Sequence, residues 1–114
     1  MGIQMKHEIR LTLIDTLNAE VRQVLNEKSL AYAGDGGDTL ANFKRNAERL
    51  GLTKYQIWGV YFNKHIDSIN NAIMQHPDGP IDRSEGLKSR IIDVKNYIDI
   101  LYCLLAEDEL INNP

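Results

Sequence analysis

The sequence predicts an all-α, four-helix bundle-like single domain over residues 1–114, and three observations predict it. Four long segments lack an internal proline, their apolar residues recur at three and four, and no segment alternates with period two. The punctuation between them is sparse. Gly34, Gly36 and Gly37 with Asp35 and Asp38 mark one loop, Gly51 to Thr53 a short turn, and His76 to Pro80 a second loop.

The first helix, about 6–28, carries Ile9, Leu13, Leu17, Val21 and Val24 on one stripe. The second, about 39–50, begins beside the capping candidates Asp38 and Thr39, presents Leu40, Phe43, Ala47 and Leu50, and stops at Gly51. Thr53 caps the third, about 54–75, whose stripe is Trp58, Phe62, Ile66, Ile69 and Ile73. The fourth, about 83–110, starts near Asp82 to Ser84; the last two helices are the longest. On it Leu87, Ile91, Val94, Ile98, Leu101 and Leu105 are spaced four, three, four, three and four, which reads as the core seam. Nearly opposite, Glu85, Ser89, Ile92, Asp93, Asn96, Ile100 and Cys103 form a second, mixed face. A helix with two faces that are not plainly solvated is central in its bundle or partnered by another chain, so a homo-oligomer is expected.

Composition bounds the function class. With 43% hydrophobic and 25% charged residues and a formal charge of −3, the chain matches an ordinary soluble domain. Mild acidity argues against extended nucleic-acid binding, which depends on neutralising many phosphates. The single Cys103 excludes an internal disulfide and a Cys-based zinc site. Residues 1–10 lack the apolar core of an export signal and no run reaches the roughly 20 apolar residues of a membrane span, so a cytoplasmic, membrane-free protein is expected. Residues 1–64 carry nine basic and seven acidic groups, residues 65–114 four and nine, and Glu107, Asp108 and Glu109 read as a solvated acidic tail.

Two clusters carry candidate chemistry. Tyr61, Lys64, His65 and Ser68 share one flank of the third helix, a set suited to an anionic, hydrogen-bonding ligand or to plain surface polarity with packed stems. Ser84, Glu85, Arg90, Asp93, Asn96 and Tyr97 form the second. Arg90 and Asp93 stand three apart and suit a surface ion pair, whereas Glu85 and Asp93, eight apart, share a metal only with a further carboxylate. The glycine loop lacks the sequence of a Walker loop or a dinucleotide fingerprint, and a turn with an N-cap is the simpler reading. Cys103 has no histidine in its segment and reads as a buried, inert thiol, so no catalytic residue is assigned.

Lys28-x3-Tyr32, Asp38-x3-Asn42-Phe43, Lys64-His65-Ile66-Asp67-Ser68-Ile69 and Ser84-Glu85-x4-Arg90-Ile91-Ile92-Asp93-x2-Asn96-Tyr97 give the chain a resemblance to the small nucleotide-modification-associated helical domains of phages and prophages, over about residues 27–105. The resemblance implies a phage setting, an all-α fold and a nucleotide-related ligand. More distantly the chain is similar to the all-α nucleotide pyrophosphohydrolases, which hold magnesium through Glu-x-x-Glu and Glu-x-x-Asp on neighbouring helices. It departs from them, since Asn63 and Ser89 stand where carboxylates would be welcome and no Glu-x-x-Glu occurs.

The leading expectation is a binder of a nucleotide or nucleotide-derived signal in a cleft between the third and fourth helices, which would serve either to sequester a host immune signal or to handle modified nucleotides during phage replication. Lys28, Tyr32, Tyr61, Lys64, His65, Arg90, Asp93, Asn96 and Tyr97 are its candidate ligand-binding residues. Within that set Lys64, His65 and Arg90 would meet phosphate, Tyr32 or Tyr97 would stack on a base, and Asn96 with Asp93 would read polar edges. The alternatives are a magnesium-dependent pyrophosphohydrolase with Glu85 and Asp93 as metal ligands, and a helical interaction or inhibitor module acting through the two-faced last helix.

Overall fold

A computed structural model describes residues 4–33, 37–81 and 86–113, without the side chains of 29–33. Four helices make up the described residues and no strand occurs among them: α1 (His7–Ala33), α2 (Ala41–Leu50), α3 (Lys54–Gln75) and α4 (Leu87–Asn112). The all-α reading therefore stands. Helix α1 runs five residues past its expected end and, at 27 residues, is one longer than α4. The expected start of α4 at Asp82 to Ser84 lies outside the described residues.

Local signals act as read at two boundaries. Gly51 takes the left-handed conformation (φ 68°), and the Leu52 amide closes α2 on the Ala47 carbonyl at 2.9 Å. Thr53 then opens α3 with a capping box, its hydroxyl accepting from the Gln56 amide while the Gln56 side chain accepts from the Thr53 amide. At α2 the start shifts by two residues. Asp38 caps the turn before the helix, accepting from the Leu40 amide at 2.9 Å, and Ala41 is the first helical residue.

The core lies among α2, α3 and α4: Phe43, Ala47 and Ile57 are buried, with Trp58, Tyr61, Tyr97 and Ile100 packed on them. Phe43 meets Tyr61 and Tyr97 edge-on at 6.0 and 6.3 Å between centroids, and Trp58 stacks on Phe62 at 4.7 Å. The Trp58 indole N–H donates to the Tyr97 carbonyl at 2.6 Å and locks α3 to α4.

Sequence expectations on α4 and α1 are corrected. On α4 the residues turned inward are Asp93, Asn96 and Leu104, whereas three members of the expected seam lie open: Ile91 is 39%, Ile98 48% and Leu105 50% exposed. Asp93 and Asn96 of the mixed face are buried because α3 and α1 pack on that side, while Leu87, Val94 and Leu101 of the seam are half-buried; Cys103 of the mixed face is exposed, so it is not the buried thiol expected. On α1 only Val21 of the expected stripe is buried, and residues 4–16 are exposed on every side. That free half stretches the molecule to 54 × 31 × 26 Å, with a radius of gyration of 17.0 Å, against about 13 Å for a compact domain of this length.

The acidic end of α4 is also not a solvated tail. Lys44 donates to Glu107 at 2.7 Å and to Asp38 at 2.6 Å; Lys54 donates to Asp108 at 2.5 Å and lies 3.4 Å from Glu107. The Tyr55 hydroxyl bonds both Asp108 and the Leu104 carbonyl. Contact with Lys44 and then with the Leu40 amide lowers the Asp38 pKa, and contact with Lys54 and then Tyr55 lowers that of Asp108. The same contacts raise the pKa of Lys44, Lys54 and Tyr55.

Candidate functional site

Three helices contribute to one charged cluster around Asp93, which is 6% exposed. From α1, Lys28 donates to Asp93 Oδ1 at 3.1 Å. From α3, His65 Nδ1 stands 3.7 Å from Asp93 Oδ2, and Arg90 Nη1, one turn earlier on α4, lies 3.4 Å from the same ring nitrogen. That nitrogen accepts from Arg90 in the neutral tautomer with its proton on Nε2, and carries an N–H toward Asp93 in the other tautomer or in the protonated ring. Lys28 and Arg90 bring two permanent cations to the cluster. Cationic donors at a partly buried position are the groups that an anionic ligand would need.

Beside this cluster lies a cavity of about 340 Å³ bordered by the end of α1, the start of α2 and the middle of α4. Lys28, Leu40, Phe43, Asn96, Tyr97 and Ile100 are among its walls. This cavity differs from the expected cleft between α3 and α4, since α3 lends no residue to its walls; where α3 meets α4 beside it, Ile57 is buried and Trp58 is bonded to the α4 backbone. Lys28 links the cavity to the cluster, because it borders the first and pairs with the carboxylate of the second.

Asn96 is the unusual member. It is 4% exposed, and neither its amide oxygen nor its amide nitrogen has a hydrogen-bond partner among the described residues. Buried amides are nearly always bonded, so two orphaned atoms on one side chain call for a physical account. A ligand that displaces the side chains covering the amide would meet one donor group and one acceptor side by side.

The structure brings Lys28, His65, Arg90 and Asp93 together and sets Asn96 and Tyr97 next to them, with the His65 and Tyr97 rings 5.1 Å apart. It does not bring in Lys64, which is exposed and takes no part in the cluster, or Tyr61, whose hydroxyl accepts from Asn46 at 3.1 Å and holds α2 to α3. The side chain of Tyr32 and the whole of Glu85 lie outside the described residues. Phe43 and Leu40 are lining residues that the sequence reading assigned only to the core. Their packing periodicity conceals a second contact on the cavity side.

No group of three or more His, Cys, Asp or Glu residues among those described is arranged to hold a metal ion. Asp93 does not suit magnesium: one oxygen takes the Lys28 ammonium and the other faces His65, so a cation would have to displace an existing cation. No family model, curated protein or solved structure matches the chain. No described helix is long and apolar enough to cross a membrane.

Proposed function

We propose that this protein is a phage-encoded binder of a nucleotide or nucleotide-derived signalling molecule, acting as a homo-oligomer in the host cytoplasm. The observation that carries the reading is the unpartnered Asn96 amide at the wall of an aromatic-lined cavity. A nucleobase edge offers the adjacent donor and acceptor that a carboxamide matches in two-point contact, and Asn paired with adenine is the standard example. Phe43 and Tyr97 give the base apolar walls, and Lys28 gives a phosphate its cation, with Arg90 behind it. The cavity volume, about 340 Å³, sits at the low end for small-molecule sites. That suits one nucleoside unit with its phosphate. Sequestration needs no turnover, and the engagement of Asp93 by Lys28 supports binding over metal-assisted hydrolysis.

Calorimetric titration of the full chain with mono-, di- and cyclic nucleotides tests the proposal. Trp58 gives a second readout through its bond to the backbone of the cavity residue Tyr97. Saturable binding that Asn96→Leu abolishes supports the reading. No heat and no fluorescence change across the panel, with the protein folded and free of carried-over nucleotide by mass spectrometry, refutes it.

A further inference from the structure

The accessible surface of the chain is 8745 Å². A compact monomer of 13.0 kDa exposes about 6,300 Å². The difference is surface that a compact fold would cover, and the free first half of α1 accounts for much of it. Part of it lies along the outer face of α4, opposite the buried Asp93, Asn96 and Leu104. There Lys88, Ile91, Lys95, Ile98, Tyr102, Leu105 and Glu109 follow one another at steps of three and four. Ile91, Ile98 and Leu105 stand seven apart, the repeat of a coiled-coil seam, and each is more than one third exposed. Tyr102, beside them, is 75% exposed.

The charges on this stripe indicate what covers it. Laid antiparallel on itself about Ile98, the stripe sets Ile91 of one copy against Leu105 of the other and Ile98 against Ile98. The flanking row then pairs Lys88 with Glu109 and Lys95 with Tyr102, a salt bridge and a cation–π contact, each made twice. A parallel pairing would set Lys88 on Lys88 and Glu109 on Glu109. On this outer row the first half of the helix carries only the cations Lys88 and Lys95, and the last turn carries the acid Glu109. Both charge and helix dipole favour the antiparallel arrangement.

We infer that the outer face of α4 docks a second copy of this chain, antiparallel, across a two-fold axis at Ile98. The interface lies on the side of α4 away from the Asn96 cavity and stands independently of the ligand reading. Sedimentation velocity of the full chain tests it. Wild type is expected at twice 13.0 kDa, or a higher even multiple, at micromolar concentration. Ile98→Glu should weaken association by at least about tenfold, since the two half-exposed isoleucines of the central pair leave the apolar contact and two carboxylates face each other there. Its helical circular dichroism should persist, because the position is half exposed in the single chain. Val60→Glu, on the exposed side of α3, should leave the mass unchanged. Lys88→Glu and Glu109→Lys should each weaken the dimer, and the double variant should recover it. A monomeric wild type, or an assembly that Ile98→Glu leaves intact, overturns the interface; single charge reversals that the double variant fails to rescue overturn the antiparallel register.

Discussion

Replacing Asn96 by leucine should make the ligand-free protein more stable and unable to bind. The buried amide leaves one donor group and one acceptor without a protein partner. Each unsatisfied buried group costs about 1–3 kcal/mol, so the side chain charges the fold about 2–6 kcal/mol. Leucine removes that term, and its extra methyl volume returns about 1–3 kcal/mol as overpacking, relieved in part by the adjoining cavity. A net gain of about 1–3 kcal/mol remains, and at roughly 4–8 °C per kcal/mol for a domain of this size the melting temperature should rise by at least about 4 °C. Thermal unfolding followed by circular dichroism on nucleotide-stripped protein reads the first effect, and calorimetric titration reads the second. A variant that melts below wild type and still binds nucleotide would refute the reasoning, because the amide would then serve the fold and not the ligand.

Asp93→Asn should lower stability by about 1–2 kcal/mol, less than for a fully buried pair because the Lys28 side chain is 48% exposed. It should also retain or raise affinity for anionic nucleotides; loss of a magnesium-dependent phosphate release in this variant would instead favour hydrolysis. The lowered Asp38 and Asp108 contribute stability above their ordinary value of 3.8, lost as pH falls through the folded values. The raised Lys44 and Lys54 contribute below 10.5, and Tyr55 below 10.0, lost as pH rises through theirs. Melting temperature should therefore be flat between these limits, fall at both ends and drop with added salt, whereas Lys54→Met should flatten the acid limb. Phe43→Ala should cost about 3–5 kcal/mol in denaturant unfolding, since the ring fills the core between α2, α3 and α4. Trp58→Phe should cost about 1 kcal/mol, the worth of its bond to the Tyr97 carbonyl.

Local chemistry was the most legible part of this chain. Gly51 and Thr53 act on backbone groups within five residues of themselves, so their roles follow from sequence neighbours alone. The site was legible in composition and not in arrangement. His65, Arg90, Asp93, Asn96 and Tyr97 were singled out from two helices, and Lys28 from a third, yet neither their meeting at one carboxylate nor the isolation of Asn96 can be read along the chain. Lys28 lies 65 residues from Asp93, and such a contact is decided by how whole helices dock. The salt-bridge clamp at the end of α4 is hidden from the sequence for the same reason, as Glu107 and Asp108 meet Lys44 and Lys54 more than 50 residues away.

By itself the sequence determined four helices, their approximate limits and the angle of every side chain about its own helix axis, because hydrogen bonding and apolar periodicity are properties of neighbouring residues. Only the tertiary structure decided which sector of each helix faces inward. On α4 that choice ran against the apolar rule: Asp93 and Asn96 went in, while Ile91, Ile98 and Leu105 stayed out. The physical reason is that burial depends on which neighbour covers a face, and the sector of α4 that carries Ile91, Ile98 and Leu105 is left open by both α1 and α3.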